Sequence, residues 1–417
     1  MNKYRLTYRH TTLASYLGFV TQAIVNNLAP LLFIIFREYF NLNYEQLGRI
    51  VFLNFAVQLI TDVIVARYAD RIGYRIAIVG AHVFSSLGLV LLGVLPRLLS
   101  RPYLGISIAV TLYAIGGGTI EVLVSPIVEA IPGERKASSM SLLHSFYCWG
   151  QMAVVLFSTL ILFVFGNEYW YVLPPLWALV PFFNCFLYAR VPIAPLVKDE
   201  SKLMTLKELM KNKHFLIALV LMACAGSSEL TMSQWSSIFA QQGLQVSKVV
   251  GDILGPCLFA GFMGTVRMLY GLKGDKIKLK NALIASSALC VICYSIAVFS
   301  RNPIFSLFGC AFTGVSVALM WPGTISLTSA RLPYGGTIMF GMFAVMGDLG
   351  ASVGPWIAGF VSEQVKSVSE PLKVLLGQDV MLEQARLKSG ILSAIVFPLL
   401  MFLFLILFNG DKKKKSI

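Results

Sequence analysis

Long apolar segments recur along the whole chain and restrict what it can fold into. Twelve of them are about 20 or more residues long, the length of helix that crosses the hydrocarbon core of a bilayer. Only helices and closed barrels satisfy their backbone hydrogen bonds in lipid, and barrel strands would alternate apolar and polar residues over about ten positions. The uninterrupted runs therefore predict an all-α membrane protein with twelve transmembrane helices. The predicted spans are Thr12–Phe36, Leu47–Ala66, Arg75–Leu95, Tyr103–Ile131, Met140–Phe165, Trp170–Arg190, Phe215–Ala240, Val249–Leu272, Lys280–Phe299, Ile304–Arg331, Gly336–Val361 and Lys388–Asn409.

The composition agrees with a protein whose outer surface meets lipid. Hydrophobic residues make up 57% of the chain and charged residues only 13%, whereas a soluble domain carries about a quarter charged residues. The net charge of +14 could indicate a nucleic-acid partner. The basic residues lie in short loops between apolar runs rather than on one soluble face, so we expect a lipid bilayer and no nucleic acid.

The distribution of basic residues predicts the topology. Twelve spans place both termini on one side of the membrane. With that side taken as the cytoplasm, 23 of the 34 Lys and Arg lie inside, 10 lie outside and Arg267 lies within a span. Basic residues are enriched in cytoplasmic loops, so we predict a multi-pass protein of the cell membrane with both termini cytoplasmic.

An internal repeat divides the chain into halves. When the second half of the sequence is compared with the first at an offset of 205 residues, Asp70 aligns with Asp275. Offsets of 203 and 197 residues align further pairs, in the same order along the chain. A direct repeat of six spans implies two halves related by a pseudo-twofold axis along the membrane normal. We therefore predict a six-helix half over residues 1–190, a cytoplasmic linker over 191–213 and a second six-helix half over 214–417.

The linker is charged and contains Pro192 and Pro195. Thr205 and Glu208 have the spacing of a capping box, in which each side chain bonds the other's backbone N–H at the start of a helix. We therefore expect a short amphipathic helix on the cytoplasmic surface, with a flexible linker as the alternative.

The segment from Ala66 to Arg75, ARYADRIGYR, resembles the G-x-L-x-D-R-x-G-R-R loop motif of the major facilitator superfamily. A weaker copy, GLKGDK, ends at Lys276. The resemblance implies the twelve-helix fold of that superfamily, in which two halves rock around a central site. We expect gating residues at and near the two loops, namely Asp62, Asp70, Arg71, Arg75, Arg267 and Asp275; simple packing is the alternative for Asp62 and Arg267.

Four shorter segments resemble the fucose permease subgroup. They include the glycine run 116–118 followed by Glu121, the pair Trp321 and Pro322, and the stretch around Asp348. The resemblance implies a sugar:proton symporter. One position differs, because the subgroup carries an acid in its first span where this chain has Pro30.

Ionisable residues inside a membrane are costly and usually functional. A carboxylate can take up and release a proton, and it can also accept hydrogen bonds from sugar hydroxyls. We predict proton coupling by Glu121, Glu229 and Asp348, with Glu229 replacing the missing acid of the first span. A structural hydrogen bond between helices is the alternative for Glu121 and for Asp348.

Polar and aromatic residues near the middle of the spans predict the solute site. Gln22 and Asn26 share one helix face, as do Glu229 and Ser233, because residues four apart are neighbours on a helix. Tryptophan rings could stack on a sugar, although plain packing is the alternative. The predicted solute-binding residues are Gln22, Asn26, Asn27, Glu121, Gln151, Glu229, Gln234, Trp235 and Trp321.

Nothing in the chain indicates catalysis. It has no P-loop motif, and its seven cysteines lie in apolar stretches without metal-ligand or disulfide spacing. We therefore expect no enzyme activity, no metal and no cofactor. The predicted function is secondary active transport of a sugar or similar small polar solute, coupled to protons, by a monomer. The alternatives are an exporter of amphiphilic drugs or another small solute, and a non-transporting receptor or scaffold.

Overall fold

The protein was analysed as a computed structural model. The structure describes residues 6–132, 136–194, 204–273, 278–332, 334–369 and 380–408, with Pro371, Val374, Leu376 and Gly377; the side chains at 66, 70, 129, 136–141, 271–273, 336 and 337 lie outside this description. The described residues form α-helices and no β-strand. The helices are α1 (Tyr8–Leu31), α2 (Phe33–Phe40), α3 (Tyr44–Ile72), α4 (Tyr74–Leu98), α5 (Pro102–Ala130), α6 (Lys136–Phe165), α7 (Leu173–Arg190), α8 (Leu206–Lys211), α9 (Lys213–Ile238), α10 (Lys248–Asp252), α11 (Leu258–Lys273), α12 (Leu279–Phe299), α13 (Pro303–Val317), α14 (Met320–Ser329), α15 (Gly336–Gln364), α16 (Leu382–Ser393) and α17 (Val396–Leu407).

The membrane-spanning character predicted from sequence is confirmed. Among the described residues, eleven helical segments are long and apolar enough to cross a membrane, and the bent pair α1 and α2 makes twelve when counted as one span. The two helices of that pair meet at an angle of 44°. The bend follows Pro30 in the last turn of α1, because a proline inside a helix lacks the N–H for the preceding turn and clashes with its carbonyl.

Two helix ends differ most from those predicted by hydropathy. Helix α3 continues beyond Ala66 to Ile72 and ends where Gly73 adopts a φ of +90°, a backbone conformation that favours glycine. The last span begins at Leu382 rather than Lys388. Its first turns are polar, and polar turns at the end of a helix carry no hydropathy signal.

The helices pack as two groups. Helices α1–α7 contact one another, α9–α17 contact one another, and the groups meet chiefly where α3 packs on α15 and α6 on α11. Small residues allow close approach at both seams: a Cβ on Gly48 would lie 3.2 Å from the backbone of Trp356, and one on Gly264 would lie 3.0 Å from Cβ of Cys148. We call the side on which α1 begins and α17 ends the terminal face, and the opposite side the far face.

The short helix α8 confirms the expected capping box. The backbone N–H of Thr205 donates to Glu208 Oε2 at 2.7 Å, and the backbone N–H of Glu208 donates to Thr205 Oγ1 at 3.4 Å. The backbone N–H of Thr205 and its hydroxyl, which donates to Glu208 Oε2 at 2.9 Å, lower the pKa of Glu208 because they stabilise the charged carboxylate. Leu209 is buried in a cluster with Phe215, so α8 is docked on the second group. Residues 195–203 of the predicted linker lie outside the described part of the chain.

Candidate functional site

A hydrogen-bonded network of amides surrounds Glu121 in the first helix group. Gln22 Nε2 lies 2.7 Å from Glu121 Oε2 and 2.7 Å from Gln58 Oε1. Gln58 Nε2 donates to Asn26 Oδ1 at 2.8 Å, and Asn54 Nδ2 donates to the same oxygen at 3.0 Å. The four amides are buried, whereas Glu121 is partly exposed. Glu121 is therefore the one residue among these five that is partly exposed.

Helix periodicity explains why these side chains meet. Gln22 and Asn26 are four residues apart on α1, and Asn54, Gln58 and Asp62 follow one another at intervals of four on α3. Residues spaced by four share a helix face, so two polar stripes face each other between α1 and α3. The sequence analysis selected Gln22 and Asn26 but missed Asn54 and Gln58, although their spacing is visible in the sequence.

The glycines at 116–118, one turn before Glu121, bring three different helices against α5. An added Cβ would clash at Gly116 and Gly118 and would be tightly packed at Gly117. The nearest atoms to such a Cβ are Ser85 Oγ of α4 for Gly116, Val25 Cγ1 of α1 at 3.0 Å for Gly117, and Asp62 Oδ1 of α3 at 2.8 Å for Gly118. The run therefore serves close helix packing and fixes the height of Glu121 relative to α1, α3 and α4.

An ion pair lies in the second helix group. Arg267 Nη2 of α11 is 3.1 Å from Glu229 Oε2 of α9, and the two side chains are 15% and 9% exposed. The arginine also donates through Nε to the carbonyl oxygen of Ala318 at 3.2 Å. Its Nη1 lies 3.5 Å from Sγ of Cys148 on α6. Arg267 thus joins α9 and α11 to a helix of the other group.

Tyr147 of α6 lies where the two sets of polar residues meet. Its hydroxyl is 3.5 Å from Asn26 Nδ2 and 3.4 Å from Asn27 Nδ2. It is also close enough to Glu121 and Glu229 to interact with both electrostatically. Tyr147 was not among the predicted site residues, because one tyrosine among 16 gives no sequence signal of its own.

Two hydrogen bonds between predicted site residues cross from one group to the other. Gln151 Nε2 of α6 donates to Ser233 Oγ of α9 at 2.7 Å. Gln234 Nε2 of α9 donates to the carbonyl oxygen of Asn26 on α1 at 2.8 Å. The structure therefore brings the polar residues chosen from sequence to one region between the two groups.

The two tryptophans of the predicted solute site are placed differently from each other. Trp235 is buried, its indole N–H donates to the carbonyl oxygen of Pro355 at 3.1 Å, and its ring packs edge-on against Phe33. This placement favours a packing role in the state described. Trp321 is partly exposed and its ring lies against Gly347, where an added Cβ would overlap it.

Asp62 and Asp348 form a carboxyl–carboxyl contact between the groups. Asp62 is 3% exposed and Asp348 is 2% exposed. Their side chains, on α3 and α15, lie within hydrogen-bonding reach of each other. The sequence predicts gating for Asp62 and proton coupling for Asp348, and no pattern in the sequence indicates that the two residues meet.

The remaining predicted gating residues are only partly described. Arg75 donates to the carbonyl oxygens of Tyr188 and Ala189 at 2.9 Å and of Val191 at 2.8 Å. These bonds satisfy free carbonyls at the C-terminal end of α7, where a cation is also favoured by the helix dipole. The side chain of Arg71 is exposed. The side chain of Asp70 and the whole of Asp275 lie outside the described residues.

The two groups are held together at the far face around Asp252. Thr159 Oγ1 of α6 donates to Asp252 Oδ2 at 2.7 Å, and Lys248 Nζ lies 2.8 Å from the same oxygen. Ser237 donates to the other carboxylate oxygen, and Lys248 also donates to the carbonyl oxygen of Leu31 at 3.2 Å. Contacts from both groups therefore converge on one buried carboxylate.

Tyr44 makes a second connection at the far face. Its hydroxyl lies 2.5 Å from Glu383 Oε2, and the guanidinium of Arg37 lies 3.9 Å from the centre of its ring. Its backbone N–H donates to Glu363 Oε2 at 3.3 Å. Between this layer and the polar centre remains a space of about 10 Å³ beside Asn27, room for about one water molecule. The far face is closed in this structure.

A larger cleft lies away from the polar centre. It has a volume of about 500 Å³ and is lined by Gly93, Arg97 and Tyr171, among others, where α4 meets α7. It contains none of the predicted site residues. Within the described residues, no three His, Cys, Asp or Glu side chains are grouped to hold a metal ion.

Comparison with known proteins identifies the family. The model of the Major Facilitator Superfamily matches residues 14–355, most of the chain. The chain belongs to the Major Facilitator Superfamily. Members of this superfamily are membrane transporters and not enzymes, so this protein is a multi-pass membrane transporter of that superfamily. No curated protein sequence matches the chain.

Solved structures share the fold of this transporter at low sequence identity. A bacterial homolog of the human lysosomal transporter Spinster, inward-facing and occupied, has a TM-score of 0.75 at 14% identity over 96% of both chains. A D-xylose-proton symporter has a TM-score of 0.72 at 16% identity over 98% of both chains. The E. coli fucose:proton symporter, solved as a single-residue variant, has a TM-score of 0.64 at 14% identity over 96% of this chain and 98% of its own.

Proposed function

We propose that this transporter moves a sugar or a similar small polar solute by proton-coupled alternating access. The observation that carries the proposal is the placement of Glu121, a partly exposed residue whose carboxyl group is bonded to a buried amide network on one helix group. The ion pair of Glu229 and Arg267 lies on the other group, close enough for Glu229 to act electrostatically on Glu121. A solute between the groups could contact both.

The chemistry of the site supports a hydroxylated solute. Amides donate and accept, a tyrosine hydroxyl does both, and carboxylates accept several hydrogen bonds. Sugars offer many hydroxyls that also do both. Gln22, Asn26, Asn27, Tyr147 and Gln151 supply such groups in one region. Two of the structurally similar proteins are named as symporters of xylose and of fucose, which agrees with this solute class.

The neighbours of the two carboxyl groups support Glu121 as the coupling group. Glu229 has a positive partner 3.1 Å away in Arg267. The one polar partner of Glu121 among the described hydrogen bonds is the neutral amide of Gln22. A proton arriving at Glu121 neutralises a charge that no cation balances, and it turns the carboxyl group into a hydrogen-bond donor. Protonation would therefore change both the charge and the bonding of the site.

The contacts at the far face agree with alternating access. Connections at Asp252 and Tyr44 close that face, whereas Glu121 remains partly exposed. Rocking of the two groups around the central residues would break the far-face contacts and expose the same site from the other side. Both termini at the cytoplasm would make the state described here open toward the cytoplasm.

A stacked aromatic pair favours a second candidate, transport of an amphiphilic solute. The rings of Tyr16 and Phe146 lie 4.1 Å apart and nearly parallel, and both side chains are partly exposed. Partly exposed rings beside polar groups can bind a molecule with an apolar body.

A binding screen followed by a flux assay separates the candidates. The purified transporter is tested against sugars and amphiphilic compounds, and a bound ligand raises the thermal unfolding temperature. The best binder is then followed into proteoliposomes with and without a pH gradient. Stabilisation by sugars and uptake that depends on the gradient support the proposal. Stabilisation by amphiphiles alone favours the second candidate, and binding without flux in any gradient contradicts transport.

A further inference from the structure

Two carboxyl groups face each other across the seam between the helix groups. Asp62 belongs to α3 and Asp348 to α15, and the two side chains lie within hydrogen-bonding reach. They are 3% and 2% exposed. The contact is outside the Glu121 network, because neither aspartate shares a hydrogen bond with Gln22 or Gln58 among the described residues.

Three of the four carboxyl oxygens of the contact have no other hydrogen-bond donor among the described residues. Both side-chain oxygens of Asp62 and Oδ2 of Asp348 are buried without a donor among the described residues, and no described ion pair includes either aspartate. An ionised carboxylate only accepts hydrogen bonds, whereas a protonated one also donates. The two groups can therefore bond each other only when one of them carries a proton.

The electrostatic surroundings also favour one shared proton over two charges. The ionisable group that acts on both aspartates from the helices packed around them is Glu121 of α5, another acid. Two buried like charges without a counter-ion repel each other and lose their hydration. In the absence of a bound cation, the contact is compatible with one proton between the two carboxyl groups and incompatible with none.

Tight packing fixes both aspartates in place. A Cβ on Gly118 would lie 2.8 Å from Asp62 Oδ1, so α5 presses directly on this carboxyl group. Gly347, the residue before Asp348, is packed against the ring of Trp321. The carbonyl oxygen of Gly347 lies so close to Gly226 that a Cβ there would not fit. The Asp62 carboxyl group has no room to turn toward α5, so separation of α3 from α15 would relieve repulsion between the two carboxylates.

We propose that Asp62 and Asp348 form a proton-binding site between the two helix groups, distinct from Glu121, whose shared proton holds α3 against α15. Loss of the proton to water changes the charge of the pair from −1 to −2. The two carboxylates then repel, and the seam between α3 and α15 opens at this level. The pair makes the relative position of the two groups depend on pH in the absence of any solute.

Infrared difference spectroscopy tests for the proton directly. We expect a C=O stretch of a protonated carboxyl group in the reconstituted protein, and loss of that band in both Asp62→Asn and Asp348→Asn. The background is Glu121→Gln, which removes the other carboxyl group of the region. The control is Thr61→Val, because Thr61 bonds only the carbonyl oxygen of Val57 in its own helix. A band unchanged in both aspartate variants would overturn the proposal.

Distance measurements test the mechanical consequence. Spin labels at Ile72→Cys and Ile338→Cys report on exposed sites near the terminal-face ends of α3 and α15. We expect the distance to increase with pH in the parent protein and to be independent of pH in Asp348→Asn, whose amide can donate to Asp62 at any pH. Asp348→Lys should give the same constant distance through an ion pair, should the asparagine variant fold poorly. Unaltered pH dependence in these variants contradicts the proposal.

A sodium titration at constant pH excludes the main rival occupant. A pair that prefers sodium would show no protonated band whenever sodium is present, even at low pH, and that result would overturn proton binding in the native state. None of these three experiments needs a solute or a flux. The proposal can therefore fail while sugar transport stands, and the reverse also holds.

Discussion

Arg267 lies 3.1 Å from Glu229, and both side chains are almost enclosed at the point where the two helix groups meet. The pair belongs to one group, so it can move as a unit when the groups rock. Its nearest contact across the seam is Sγ of Cys148, at 3.5 Å from the guanidinium. The positive charge is thus balanced within its own group.

Replacing Arg267 with Met should strongly destabilise the transporter. Removing one partner of a buried pair leaves an uncompensated charge and costs about 3–5 kcal/mol. The double variant Arg267→Met with Glu229→Gln should regain most of this loss, because no charge remains. Chemical unfolding in detergent micelles measures both. Equal destabilisation by the single and the double variant would show that packing, not charge, sets the cost.

Replacing Glu121 with Gln should uncouple transport from protons. Glutamine keeps the shape of the side chain and can bond Gln22, but it cannot titrate. We expect uptake in proteoliposomes to stop responding to a pH gradient, while counterflow exchange of the solute continues. Thr119→Val is the matched control on the same helix, since the hydroxyl of Thr119 bonds only the carbonyl oxygen of Ile115. Uptake that still responds to the pH gradient in Glu121→Gln would show that a group other than Glu121 couples transport to protons.

Replacing Gly118 with alanine should destabilise the protein, whereas replacing Gly80 with alanine should stabilise it. A Cβ at Gly118 would lie 2.8 Å from Asp62 Oδ1 and from the carbonyl oxygen of Gln58, whereas nothing lies within 4 Å of one at Gly80. Overpacking costs about 1–3 kcal/mol, and replacing glycine within an open helix gains roughly 0.5–1 kcal/mol. Thermal unfolding of the two variants provides the comparison. Equal stability would contradict the close packing of α5 on α3.

Replacing Thr159 with Val should loosen the far face. The lost hydrogen bond goes to a charged carboxylate and is worth about 1.5–3 kcal/mol, so the equilibrium should shift at least several-fold toward a state open at that face. Spin labels at Phe163→Cys and Val250→Cys, both exposed, measure the opening. Thr111→Val is the control, because Thr111 bonds only within α5. An unchanged distance distribution in Thr159→Val would show that the hydrogen bond to Asp252 does not help to keep the far face closed.

The predicted topology can be tested with two single cysteines. Lys207→Cys on α8 should react with a membrane-impermeant reagent only from the cytoplasmic side. Arg101→Cys, in the connection between α4 and α5 at the far face, should react only from outside. Both positions are exposed. Labelling of residue 207 from outside would show that the protein has the opposite orientation in the membrane.

Sequence patterns predicted the spans well because each span is a local property. Twenty apolar residues predict a helix whatever its neighbours are, and the bend at Leu32 follows from Pro30 two residues earlier. Part of the site could also be predicted from the spacing of residues within a single helix. The spacing of four between Gln22 and Asn26 correctly predicted one polar face, and the same spacing on α3 would have revealed Gln58.

The pairings could not be predicted in the same way. Glu229 and Arg267 are 38 residues apart, and their contact depends on how α9 and α11 pack. Asp62 and Asp348 meet only because the two helix groups come together. Trp235 and Trp321 look alike in sequence, yet one is buried with its N–H bonded and the other is partly exposed. Side-chain roles of this kind follow from tertiary geometry.

The glycines at 116–118 have a mechanical consequence for the first helix group. They let α5 lie close to α1, α3 and α4, because side-chain atoms of Ser85, Val25 and Asp62 occupy or border the space that a Cβ would fill. Close packing of four helices at one level favours their movement as one rigid body when the groups rock. A displacement near Glu121, one turn away, would then be carried to the ends of all four helices.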